Sequence, residues 1–115
     1  MKLVRCLVVF AAVSAASAAA ASPAESKAGK DDLVTLYLLS VAADRCGFAM
    51  TTRQADAIER ETKVLAEKLK LRSRENDALY SEADIKFEQQ GSKACDRSGD
   101  FAKDFRENLH RMTGP

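Results

Sequence analysis

Cys46 and Cys95 are the residues of this chain whose type and spacing most restrict its chemistry. A redox-active dithiol needs its two sulfurs close in sequence, as in Cys-x-x-Cys, and these are far apart. Three arrangements are open to them: an intrachain disulfide, a bond to another chain, or two free thiols. An intrachain bridge would close a loop of about 50 residues and stabilise the fold by on the order of 4 kcal/mol, mainly by restricting the unfolded chain.

Other reactive groups are sparse. His110 is the only histidine, and nothing in the sequence nominates a nucleophile or carboxylate partner for it. No His/Cys cluster has zinc-ligand spacing and no Asp-x-Asp-x-Asp-Gly calcium loop is present. Haem-attachment, phosphate-cradling and nucleophile-elbow motifs are also missing. The carboxylates Glu59, Glu61, Glu67, Glu82 and Glu88 fall on charged helical faces, where no desolvation would tune them for acid–base work. The sequence therefore predicts a protein that is not an enzyme and carries no cofactor or metal.

The N-terminus indicates the compartment. Lys2 and Arg5 precede the apolar run Leu7-Val8-Val9-Phe10-Ala11-Ala12-Val13, and small residues follow to Ser22. That order predicts a secretory signal peptide over residues 1–21, with an apolar run too short to span a bilayer. Cys6 precedes the apolar core, whereas an acylated lipoprotein cysteine would follow it, so it is assigned to the removed segment. Export to the periplasm or beyond permits disulfides. Without Lys2 and Arg5 the 18 basic residues fall to 16, against 17 acidic, a net charge of −1. Charges of both signs alternate with no basic block, which argues against nucleic acid or an anionic membrane as partner.

The elements that would position the cysteines are helical. Residues 22–30, rich in Ala, Ser, Lys and Gly, lack apolar periodicity and read as a disordered lead-in. A single helical domain is expected over 31–115. Asp31 or Asp32 caps a first helix running to Cys46, apolar on most sides and ended by Gly47. Thr51 and Gln54 have capping-box spacing for a second helix to about Leu71, with Ala55, Ile58, Thr62, Leu65 and Leu69 as its seam. Ser73 starts a third, with Leu79, Ala83, Phe87, Gln90 and Ala94 aligned and a weak point at Gly91. The turn cluster Asp96-Arg97-Ser98-Gly99-Asp100 precedes a last helix striped by Phe101, Phe105, Leu109 and Met112. The fold class is all-α, a small bundle of about four helices closed by one disulfide.

A helix in so small a bundle normally keeps one face wet, and the first has little polar surface to offer. Leu36, Tyr37, Leu38 and Leu39 are accordingly the candidate contact residues for a protein partner or a second copy in a homodimer.

The segment Ala94-Cys95-Asp96-Arg97-Ser98-Gly99-Asp100-Phe101-Ala102-Lys103-Asp104-Phe105 resembles the end of HdeA-type periplasmic acid-stress chaperones, and the two-cysteine spacing is similar. The likeness covers the two cysteines and the tail, roughly a quarter of the chain. It implies a periplasmic dimer that loosens at low pH and binds unfolded clients through exposed apolar surface. With its 17 carboxylates protonated and His110 charged, the exported chain would approach +17, and like-charge repulsion would loosen it. The other classes compatible with the residues are an inhibitor or immunity protein of a cell-envelope hydrolase and a structural envelope or adaptor protein.

Overall fold

A computed structural model describes residues 23–114, so the expected signal peptide lies outside the described residues. Among them the chain is all-α, with four helices and no strand: α1 (Pro23–Cys46), α2 (Thr52–Lys68), α3 (Ser73–Glu88) and α4 (Asp100–Thr113), with one 3-10 turn at Gly91–Lys93. No helix among the described residues is long and apolar enough to cross a membrane.

The first helix corrects the expected boundary. It begins at Pro23 rather than at an Asp31 or Asp32 cap, so residues 23–30 are helical and not a disordered lead-in. Proline suits the first helical position because its missing N–H would be unpaired there anyway. Ala and Lys favour the helix, and Lys27 pairs with Asp31 one turn on, at 3.3 Å. The extension also packs: a Cβ on Gly29 would lie 2.9 Å from Leu69 Cδ2, so glycine lets the end of α2 come close. Apolar periodicity is silent on all of this, because the stretch is held by propensity and by one small residue.

The capping box of α2 forms as its spacing predicts. The Gln54 amide donates to Thr51 Oγ1 at 3.0 Å, and the Thr51 amide donates to Gln54 Oε1 at 2.9 Å. The helix stops three residues short of Leu71 because Lys70 adopts φ +56°. Its amide bonds the Glu67 carbonyl at 3.0 Å and that of Leu71 bonds Ala66 at 3.2 Å. That pair of bonds is a Schellman stop, with lysine in the left-handed position that glycine usually takes.

α1 is the central element and packs on all three other helices. Leu33, Leu36, Leu39, Val41 and Ala42 are each no more than 3% exposed. At 100° per residue these positions point to nearly all sides, so α1 is surrounded rather than laid on a surface. Against it pack Ile58 of α2, Phe87 of α3, Phe105 and Leu109 of α4, and Phe48 of the first connection. Phe48 and Phe105 rings lie 5.1 Å apart, and Phe87 and Phe101 meet edge-on at 5.8 Å. Of the predicted seams, Ala55 and Gln90 are exposed, and Ala57 takes a buried place on α2 instead. Cys46 and Cys95 form the intrachain disulfide, Cα–Cα 5.0 Å, so the end of α1 is tied to the chain just before α4.

Candidate functional site: the grooves beside α3

The third helix is attached to α1 along one edge. Arg45, in the last turn of α1, donates through Nη2 to Asp84 at 2.6 Å and through Nη1 to Glu88, and its guanidinium lies 5.2 Å from the centre of the Phe87 ring. The hydrogen bond to Glu88, helped by the charges of Asp84 and Glu88, holds the guanidinium's pKa above its ordinary value. Near the other end of α3, the Tyr37 hydroxyl donates to Asn76 Oδ1 at 2.5 Å and its ring meets Tyr80 edge-on at 5.3 Å. Burial pushes the Tyr37 pKa up, partly offset by the bond to Asn76 and reinforced by the charge of Asp77.

The start of α3 also depends on a carboxylate. The Arg72 amide donates to Glu75 Oε1 at 2.9 Å, one of the exposed first-turn amides satisfied from the third helical position. That bond, with a smaller contribution from the Arg72 side chain, holds the Glu75 carboxyl below its ordinary pKa. A carboxyl with a depressed folded-state pKa adds stability that is present above its unfolded value and is lost as pH falls through the folded one. Glu75→Gln keeps the acceptor and removes the charge. Urea midpoints are therefore expected to be lower for the variant at pH 7 and to approach wild type as pH falls toward the carboxyl's folded-state pKa. An offset that does not change with pH would show that charge is not the source.

On each side of α3 the bundle is open. Tyr37, Ser40, Ala55, Ile58, Thr62 and Tyr80, with Glu59 and Lys63 at the edge, line a groove of about 340 Å³ between α2 and α3. Leu38, Leu39, Phe101 and Phe105 floor a second groove of about 300 Å³ between α3 and α4. The four expected contact residues are thus split among three places. Leu36 is 2% exposed and belongs to the core, which corrects its assignment to a contact surface. Leu39 is equally buried and reaches only the floor of the second groove. Tyr37 and Leu38 are half-buried, one in each groove. Consecutive helical residues point 100° apart, so a run of four cannot share one face. Tyr80 and Phe101 are groove residues that the four-residue run left out. Phe101 belongs to the predicted stripe of α4 and Tyr80 lies alongside the predicted seam of α3, which is the signal the sequence offers for them.

The remaining reactive groups are not assembled. Among the described residues no group of three or more His, Cys, Asp or Glu could hold a metal ion. His110 is exposed on α4. The molecule is thus a disulfide-closed helical bundle with two apolar-floored grooves among its concave surfaces, one on each side of α3. Comparison of the chain with known protein families, with curated proteins and with solved structures finds no match.

Proposed function

We propose that the chain is a small exported protein-binding module that acts as an acid-stress chaperone, in which loosening of α3 presents the apolar face of α1 to unfolded clients. The observation that carries the reading is the attachment of α3: an ionic clamp from Arg45 to Asp84 and Glu88 at one end and a Glu75-dependent first turn at the other. Lys70 and Gly91, both at positive φ, bracket the helix. A clamp that depends on carboxylate charge is weakened by acid, and Arg45 keeps its own charge there. The whole chain becomes strongly cationic at the same time. Val34, Leu38 and Leu39 of α1 then lose cover while the disulfide still closes the chain.

The test is the aggregation of an acid-denatured client at pH 2–3, followed by light scattering with and without the oxidised protein. Suppression that disappears at pH 7 is the expected result, and equal scattering with and without the protein overturns the reading. One observation favours the competing class, an inhibitor or immunity protein, namely that both grooves are already open in the folded bundle. That class requires tight binding of one folded partner at neutral pH and no suppression in acid.

A further inference from the structure

We propose that the groove between α3 and α4 binds a short extended segment of polypeptide in the folded protein at neutral pH. This rests on the reading of the chain as a protein-binding module and adds the chemistry of what is bound.

The floor and the rim of the groove point to the same occupant. Leu38, Phe101 and Phe105 give it an apolar base, and two of these, Leu38 and Phe101, are half-buried and so offer surface to a ligand. A buried peptide backbone needs partners for both its N–H and C=O groups. The rim supplies groups that do both, the carboxamides of Gln89, Gln90 and Asn108. Gln90 Nε2 already donates to the Lys86 carbonyl at 3.4 Å and Asn108 Oδ1 accepts from Arg111 at 3.1 Å. That leaves the second amide hydrogen and the oxygen of Gln90 and the amide of Asn108 to a ligand. The other groove has hydroxyls at its edge but no carboxamide.

Charge narrows the occupant further. Lys86 on α3 and Asp104 on α4 line the same groove, and neither belongs to an ion pair found among the described residues. An ammonium on one wall and a carboxylate on the other give no preference for a polyanion or a lipid headgroup. They fit a segment that carries one acidic and one basic side chain, with apolar side chains at alternate positions on the floor. A groove of about 300 Å³ is at the lower end of ligand-cleft size. That suits a few extended residues, not a helix.

The test uses the full oxidised protein at pH 7, two capped peptides, acetyl-Glu-Leu-Ser-Leu-Lys-amide and acetyl-Lys-Leu-Ser-Leu-Glu-amide, and dodecanoate as a lipid probe. Amide chemical-shift titration is expected to place the peptide response on α3 and α4, with one charge order preferred by about fivefold, the scale of two exposed ion pairs. In Lys86→Glu/Asp104→Lys the preference is expected to invert. Both positions are exposed, so the fold is retained, and the unliganded spectrum checks this. No peptide response, a response centred on Tyr37 and Tyr80, a preference unchanged by the charge swap, or dodecanoate binding more tightly than either peptide would each overturn the proposal. Peptide binding at pH 7 without chaperone activity in acid would leave this inference standing and remove the acid-stress reading. The opposite pair of results would do the reverse.

Discussion

Cys46→Ser/Cys95→Ser is expected to unfold with a free energy lower than that of the oxidised protein by about 4 kcal/mol, measured by urea denaturation at pH 7. The bond joins residues separated by 49 positions, and the chain-entropy estimate for a loop of that length gives this value. A domain of about 90 residues has only roughly 5–13 kcal/mol in total, so the variant is expected to be marginal. α1 and α4 share Leu36, Phe105 and Leu109 in one core cluster, and packing of α4 on α1, on α2 and on Phe48 then has to keep the two ends of the bundle together. Loss of secondary structure should follow the same curve in circular dichroism, because α1 packs on all three other helices. A loss below about 1 kcal/mol would mean that the oxidised chain is already compact when unfolded, and the bond would then contribute little.

The second large effect belongs to Leu36. Its side chain is 2% exposed, and Leu36→Ala is expected to cost about 3 kcal/mol, within the range of 2–5 kcal/mol for emptying a leucine site in a packed core. Leu36→Asp adds the burial of a carboxylate with no partner and should prevent folding at pH 7. Leu38 is half-buried and one residue pair away around the helix, so Leu38→Ala should cost clearly less. The comparison separates core from groove by denaturation alone. Equal midpoints for wild type and Leu36→Asp would show that α1 is not the centre of the fold.

What could be read before the structure depended on which force holds each part. Capping at Thr51 and Gln54, the stripe of α4 and the need for α1 to be surrounded follow from hydrogen bonding and burial, which leave periodic marks in the residues. The extension of α1 over residues 23–30 and the stop at Lys70 leave none. One rests on helix propensity and the fit of Gly29 to Leu69, the other on a lysine in a conformation for which glycine is the usual sign. The grooves were half legible. Tyr37 and Leu38 stand out in the sequence because they belong to an apolar run. Their separation onto opposite sides of α3, and the joining of Gln89 and Gln90 to Asn108, depend on how α3 and α4 sit on α1, and no local pattern encodes that.

The disulfide makes the chain a lariat. Cys46 and Cys95 close a covalent ring that holds α2 and α3, and α1 and α4 leave it as two tails from one point. A protease that cuts beside Lys70 or Arg72, both exposed in the turn between α2 and α3, opens the ring without dividing the molecule. The nicked protein keeps its full mass, plus one water, until a reductant is added, and then separates into two fragments. A cut in either tail releases a piece at once, so intact and reduced masses after brief trypsin treatment report which part of the lariat gave way first.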